Sequence, residues 1–142
     1  MSPGGVDRTV VRRHLLALDA ALATLERHRD LSAIELAADR ERLWVVERGL
    51  QLCAQNALDA ATHLAASAGR DVPDYASAID RLDELAILPH VFAERFRGIA
   101  GFRNVLVHGY LEVDLRIVEE MLATRLDDFR EFARHVDALL ES

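Results

Sequence analysis

The segment from Gly101 to Tyr110 places the side chains best suited to chemistry at the end of an apolar helical pattern. At about 100° per residue, Asn104 and His108 share one helix face, and the long side chain of Arg103 can reach the same face. A guanidinium offers paired donors to phosphate oxygens, and an imidazole can accept or donate a proton near neutral pH. These residues therefore predict phosphodiester chemistry that needs no metal ion.

Arg103, His108 and Tyr110 follow the pattern R-x4-H-x-Y, and with this pattern the chain resembles the HEPN-domain toxins of the HepT type. The spacing of arginine and histidine alone would be a weak signal, but its place at a helix end between other similar segments makes the resemblance specific. The resemblance runs from about residue 40 to residue 136. The segments that carry it are Glu47–His63, Gly101–His108, Glu112–Asp114 and Leu126–Phe129.

The resemblance implies a homodimeric ribonuclease toxin paired with a minimal nucleotidyltransferase antitoxin of the MntA type. In that family the active site is composite, because the R-x4-H motifs of two protomers meet across the dimer axis. Carried over, Arg103 would stabilise charge on the scissile phosphate of RNA, and His108 would act as general base or acid. Asn104 would orient His108 or a phosphate oxygen. Tyr110 resembles the tyrosine to which the antitoxin transfers AMP units, which would add bulk and negative charge that repel an RNA backbone.

A polar stripe at four-residue spacing crosses the long helix included in this resemblance. Its members are Glu47, Gln51, Gln55, Asp59 and His63. Such a stripe either faces solvent or forms a partly buried network. In the second case Asp59 and His63 would hydrogen bond and support the motif from behind. Both interpretations stay open at the level of the sequence.

Metal and nucleotide-hydrolysis motifs are missing from the sequence. The six histidines form neither H-E-x-x-H nor the paired E-x-x-H of di-iron bundles, and there is no glycine-rich phosphate loop or G-x-S-x-G. The sequence therefore predicts no metal site and no cofactor. The stretch from Glu112 to Asp128 holds six carboxylates against two arginines, which is typical of a solvated face but could also dock an arginine-rich partner.

Two other functions remain compatible with the residues. The chain could be a non-catalytic helical partner of a nucleotidyltransferase that presents Tyr110 for modification and cleaves nothing. It could also be a plain dimerisation bundle, in which Arg103 and His108 do not converge. Tyr110 itself could simply anchor the chain after Gly109, with its ring half in the core.

The elements that must position these residues are predicted to be helices nearly throughout. Ala and Leu dominate, β-branched residues are few, and apolar residues recur at three and four spacing, which predicts an all-α antiparallel bundle of about five helices. Ser32 and Glu35 form a capping box, and Gly69 is placed to end the helix that follows. The predicted helices are residues 7–29, 33–68, 76–87, 89–108 and 114–140, the last with a kink or split near Ala123.

The length and composition of the chain limit the kinds of protein that it can be. A chain of 142 residues with 51% hydrophobic and 29% charged residues is expected to form one soluble domain over residues 7–142, after a disordered segment 1–6. The net charge of −7 argues against broad coating of nucleic acid, and all 17 basic residues are arginine, scattered along the chain. The lone Cys53, with no membrane-spanning or signal-like stretch, predicts a cytoplasmic protein without a membrane partner.

Overall fold

The computed structural model describes residues 7–108 and 114–142, except for the side chains of residues 107 and 108. The described residues form helices joined by turns, and they include no strand, which confirms the predicted all-α class. The α-helices are α1 (Arg8–Glu26), α2 (Ala33–Ala38), α3 (Arg40–Ser67), α4 (Tyr75–Glu84), α5 (His90–Phe96), α6 (Ile99–His108), α7 (Leu115–Glu120) and α8 (Leu126–Glu141). None of the helices within these residues has the length and apolar character needed to cross a membrane.

The second predicted helix begins where the sequence indicated but is divided near its start. The Ser32 side chain accepts the backbone N–H of Glu35, and the Glu35 carboxylate accepts the backbone N–H of Ser32, so the capping box is confirmed. One predicted helix over 33–68 is wrong, because Asp39 is extended (φ −135°, ψ 94°) and accepts the backbone N–H of Arg42. Aspartate is a preferred N-cap, and here it ends α2 and starts α3. Gly69 ends α3 as predicted, with a left-handed φ of 77°.

Two further predicted helices differ from the structure in their continuity. The predicted helix 89–108 is two helices, because Arg97 and Gly98 form a turn between α5 and α6. Glycine weakens a helix through its backbone entropy, and the break lets α6 pack against α3 independently of α5. The last helical region is unbroken: a π-helical segment, Met121–Arg125, joins α7 to α8 and includes Ala123, near which the kink was expected.

Helix α3 is the centre of the bundle and contacts α1, α2, α4, α6 and α8. Helix α1 runs antiparallel to it. His14 near the start of α1 lies 2.9 Å from the Asn56 amide oxygen in the second half of α3, and Leu25 near the end of α1 packs on Gly49 in the first half. The close approach at Gly49 is possible because glycine has no Cβ.

Phenylalanine rings join α5 to α8 on another side of the core. The ring of Phe96 stacks on that of Phe132 at 5.2 Å between centroids and meets Phe129 edge to face at 5.7 Å. Phe92 stacks on Phe96 from the same helix at 5.1 Å. Offset and edge-to-face pairs of this kind add to the stability from area burial alone.

The contact between Gly49 and Leu25 generates a stability prediction. A Cβ on Gly49 would lie 2.7 Å from Leu25 Cδ2 and 2.9 Å from its Cγ. Overpacking costs about 1–3 kcal/mol, while alanine gains about 1 kcal/mol of helix propensity over glycine. We expect Gly49→Ala to lower the free energy of unfolding by about 1 kcal/mol net, measured by urea denaturation.

Gly101 in α6 is the matched control. Among the described residues, nothing lies within 4 Å of the position its Cβ would take. Gly101→Ala should therefore raise the free energy of unfolding by about 0.5–1 kcal/mol. Equal stabilisation by both substitutions would show that the α1–α3 contact is looser than the structure indicates.

Candidate active site

The Arg103 guanidinium is held from two sides. Its Nε donates a hydrogen bond to the Gln55 side-chain oxygen at 2.8 Å, and its Cζ lies 5.1 Å from the centre of the Tyr75 ring. Its Nη1 also donates to the Asn104 side-chain oxygen at 3.1 Å. A hydrogen bond and a cation–π contact together fix the plane of the guanidinium. Helices α3, α4 and α6 thus meet at this one side chain.

Behind Arg103, three polar side chains form a closed triangle of hydrogen bonds. The Gln55 Nε2 donates to Asp59 Oδ1 at 2.9 Å and to the Tyr75 hydroxyl at 2.9 Å, and that hydroxyl donates to the same Asp59 oxygen at 3.0 Å. A carboxylate only accepts hydrogen bonds, so the amide nitrogen of Gln55 must face Asp59 and its oxygen must face Arg103. The triangle therefore sets the orientation of the group that positions the guanidinium.

The described residues use only a minority of the donors of Arg103. A guanidinium has five N–H groups, and the two hydrogen bonds above use two of them, which leaves three without an acceptor among the described residues. In contrast, the Nε and Nη2 atoms of Arg97 both donate to the Asp80 carboxylate, at 3.0 and 3.1 Å. Within the described part of the chain, no carboxylate pairs directly with Arg103. The group can therefore bind an anion such as a phosphate.

The structure brings together two of the predicted site residues, Arg103 and Asn104. Helix α6 extends to His108, but the side chain of His108 lies outside the described residues, and so does the whole of Tyr110. The predicted convergence of Arg103 and His108 and the predicted role of Tyr110 therefore stay predictions.

The polar stripe on α3 is half-buried along its length and is not a solvated face. Burial raises the pKa of Glu47 at one end of it. Asp59 takes part in the triangle, where its Oδ1 accepts from Gln55 and Tyr75, and in the described residues no hydrogen bond joins it to His63. The Nε2 of His63 is buried and has no partner among the same residues.

Two residues of this arrangement, Gln55 and Tyr75, were not predicted as site residues. Gln55 was visible as a member of the α3 stripe, although nothing in the stripe singled it out. Tyr75 follows Asp74, which caps α4 by accepting the backbone N–H of Ser77 at 2.8 Å. That local pattern predicts a helix start, and it contains no sign that the tyrosine ring lies beside Arg103.

Cys53 is no candidate for the chemistry. It is buried, and burial raises the pKa of its thiol to about 12. The thiolate, which is the nucleophilic form, is therefore scarce at neutral pH.

Two carboxylates of the acidic stretch 112–128, those of Asp127 and Asp128 in α8, are bound by arginines of the same chain. Asp127 binds Arg29 at 3.0 Å, and this hydrogen bond lowers the pKa of Asp127. Asp128 is buried and binds Arg95 at 3.2 Å and Arg125 at 3.0 Å. These ion pairs favour a structural role for the two aspartates over the docking of an external arginine-rich partner.

Among the residues described, no three His, Cys, Asp or Glu side chains are grouped as metal ligands.

Comparison with known proteins identifies relatives over most of the chain. Residues 18–136 match the family model described as Ribonuclease HepT-like. The mRNA nuclease HepT of Shewanella oneidensis is 29% identical over 86 residues, which are 58% of this chain and 63% of that protein. The tRNA nuclease HepT of Aphanizomenon flos-aquae is 23% identical over 137 residues, which are 95% of this chain and 92% of that protein.

The fold is similar to that of a solved complex. A tri-AMPylated Shewanella oneidensis HEPN toxin in complex with MNT antitoxin superposes with a TM-score of 0.79 and 19% identity, covering 91% of this chain and 97% of that chain. At this level of identity the likeness concerns the fold.

The hydrogen-bonded triangle generates a second prediction. Tyr75→Phe keeps the ring beside Arg103 but removes the hydroxyl that joins Gln55 to Asp59. Since hydrogen bonds to charged groups contribute about 1.5–3 kcal/mol and this site is only half-buried, we expect the free energy of unfolding to fall by about 1–2 kcal/mol. The double mutant with Asp59→Ala should cost less than the sum of the two single mutants.

Thr62→Val provides the matched control, because it also removes one hydroxyl from a half-buried side chain. That hydroxyl donates to the Leu58 carbonyl within α3 and lies outside the triangle. Its removal should change the free energy of unfolding by less than about 0.5 kcal/mol. If the Tyr75 and Thr62 variants were equally stable and the double mutant additive, the triangle would contribute nothing.

Proposed function

The chain belongs to the ribonuclease HepT-like family, and we propose that it is a metal-independent endoribonuclease toxin of an HEPN/nucleotidyltransferase toxin–antitoxin system that acts in the cytoplasm. The observation that carries the proposal is the Arg103 guanidinium, which Gln55 and Tyr75 hold while three of its N–H groups keep no acceptor among the described residues. The two relatives named as HepT nucleases support RNA as the substrate.

The proposed reaction is an internal transesterification at a composite site of a homodimer. Arg103 binds the non-bridging oxygens of the scissile phosphate and stabilises the charge that grows on them. His108 removes the proton from the ribose 2′-hydroxyl, and the 2′-oxygen attacks phosphorus while the bond from phosphorus to the 5′-oxygen breaks. The partner's His108, in its protonated form, gives a proton to that leaving oxygen. The products are a 2′,3′-cyclic phosphate and a 5′-hydroxyl. No atom is oxidised or reduced in this step.

Asn104 has a supporting place in this scheme. Its side-chain oxygen accepts a hydrogen bond from Arg103, so its two amide N–H groups are left for a phosphate oxygen or for the imidazole of His108. Asp59 and Tyr75 act further back, through the orientation that they impose on Gln55.

Tyr110 is the proposed point of control. The cognate MntA-type nucleotidyltransferase would transfer AMP from ATP to its phenol oxygen, which displaces pyrophosphate from the α-phosphorus and releases the phenol proton. The modified tyrosine stands two residues after His108 in the sequence and would carry a phosphodiester whose charge repels the RNA backbone. The tri-AMPylated state of the similar solved toxin, in complex with its antitoxin, supports this form of control.

Removal of either motif side chain should abolish toxicity. We expect the wild-type chain, expressed without its antitoxin, to arrest growth, and Arg103→Ala and His108→Ala to be harmless. With purified protein, cleavage of RNA on a gel should slow by about 10²–10³-fold for Arg103→Ala and at least about 10²-fold for His108→Ala. The rates should be unchanged in EDTA, and cleavage of RNA with 2′-O-methyl groups should not occur.

Arg97→Ala is the control for loss of positive charge. Arg97 is exposed and already paired with Asp80, so its removal should leave the cleavage rate unchanged. A harmless wild type that cleaves no RNA would reject the nuclease and favour the non-catalytic partner of a nucleotidyltransferase. Complete loss of cleavage on chelation would reject the metal-independent mechanism.

Modification of Tyr110 can be read from the intact mass. After coexpression with the cognate nucleotidyltransferase, the chain should gain the mass of one or more whole AMP units and lose its nuclease activity. The sequence contains two tyrosines, which makes Tyr75→Phe the natural control. The added mass should persist in Tyr75→Phe and vanish in Tyr110→Phe; its persistence in Tyr110→Phe would place the modification elsewhere.

A further inference from the structure

An exposed stripe on the first turns of α3 carries a tryptophan between two arginines. Trp44 is 62% exposed, and Arg40 and Arg48, one helical turn before and after it, are exposed as well. A single exposed apolar residue needs no special explanation. Trp44 differs from an isolated exposed residue because it lies between two exposed arginines and on the helix face that carries Gln55.

The stripe continues directly into the residues that hold Arg103. With about 100° per residue, Trp44 and Arg48 project within about 20° of the direction of Gln55 on α3. At about 1.5 Å of rise per residue, Arg48 lies about 10 Å and Trp44 about 16 Å from Gln55 along the helix axis. Because Gln55 binds Arg103, the stripe leads straight away from the candidate active site. A few nucleotides of extended single strand can span such a distance.

The charges on this stripe are not neutralised within the part of the chain that the structure describes. There, neither Arg40 nor Arg48 forms a salt bridge or a side-chain hydrogen bond, whereas Arg42 lies 3.8 Å from Asp39. Glu41 and Glu47 lie beside the stripe, and among the described residues neither forms a salt bridge with Arg40 or Arg48. Two guanidinium groups that have no acceptor in the described residues thus flank one exposed indole ring on the same helix.

The combination fits single-stranded nucleic acid. Proteins bind such strands with aromatic side chains that stack on the bases and with cations that follow the phosphates. We propose that Arg40, Trp44 and Arg48 form a track for single-stranded RNA that ends at Arg103. Trp44 stacks on an unpaired base, and the two arginines bind the phosphates on either side of it. The inference rests on the proposed ribonuclease function, since it assigns a path to the substrate of that site.

A protein partner is the competing occupant of this surface. Tryptophan and arginine are also common in protein interfaces. The charges of Arg40 and Arg48, which are exposed and have no acceptor in the described residues, complement the phosphates of RNA and favour a polyanion as the occupant. The experiment below separates the two.

Trp44 is the only tryptophan in the sequence, so its fluorescence reports on this surface alone. The full chain is titrated with a dye-labelled, unstructured single-stranded RNA that carries 2′-O-methyl groups throughout. This RNA lacks the attacking hydroxyl, and binding is therefore measured without cleavage. We expect the tryptophan fluorescence to be quenched, with the same Kd as the rise in anisotropy of the dye.

Substitutions then test each contact. Trp44→Ala should raise the Kd by about 5- to 140-fold, the usual contribution of one base–aromatic stack, and Trp44→Phe should restore most of the affinity. Arg48→Ala should reduce the slope of log Kd against log salt by about 0.7, the value for one phosphate contact on a single strand. Arg134→Ala on α8, also exposed and without an ion pair in the described residues, should change neither quantity.

The outcomes separate this track from the nuclease itself. If Trp44→Ala and Arg48→Ala bind the RNA as the wild type does, or if bound RNA leaves the fluorescence unchanged, the track is overturned even when Arg103-dependent cleavage is present. If the chain binds RNA through Trp44 but cleaves none, the track is supported and the nuclease rejected. If Trp44→Ala dissociates a dimer in sedimentation while the RNA affinity is unchanged, the surface is an interface between copies, and the track is equally overturned.

Discussion

The amide of Gln55 connects a carboxylate to a guanidinium without letting the two meet. Asp59 holds the nitrogen end of the amide, and Arg103 binds its oxygen end. A carboxylate in direct contact would occupy the guanidinium fork, as Asp80 occupies that of Arg97. The Gln55 amide orients the guanidinium and accepts a hydrogen bond from only one N–H of Arg103. The candidate site depends on this division, because it needs a guanidinium that is both fixed and free to bind an anion.

Tyr75 completes the arrangement from a different helix. Its hydroxyl closes the triangle with Gln55 and Asp59, and its ring lies against the Arg103 guanidinium. Both contacts come from a side chain at the first position of α4, whose start is set by the Asp74 cap. A displacement of α4 would therefore loosen the hydrogen-bonded triangle and the cation–π contact together. The site is a property of how α3, α4 and α6 pack, and no single helix contains it.

Helix α3 serves the fold and the candidate site with opposite faces. Its buried face is rich in small residues and in one place has no side chain at all, at Gly49, which lets α1 approach closely. Its other face carries the half-buried polar stripe toward α4 and α6, and the exposed tryptophan and arginines nearer its start. The stiffness of a long, well-packed helix suits it to hold Gln55 at a constant place relative to Trp44.

Four features could be predicted from spacing and propensity alone: the helical class, the capping box at Ser32, the end of α3 at Gly69 and the choice of Arg103 and Asn104 as candidate site residues. These features depend on residues close together in the chain, where spacing and propensity are direct evidence. Asp39 and Gly98 were also local signals, and they divided two predicted helices because capping and backbone entropy outweighed the continuing apolar pattern. The packing of the helices was needed to show that Gln55 and Tyr75 hold Arg103, and that Asp59 hydrogen bonds within this triangle and not to His63. Contacts between helices depend on how their apolar faces pack, and residue spacing within one helix carries no information about the side chain that a second helix places opposite.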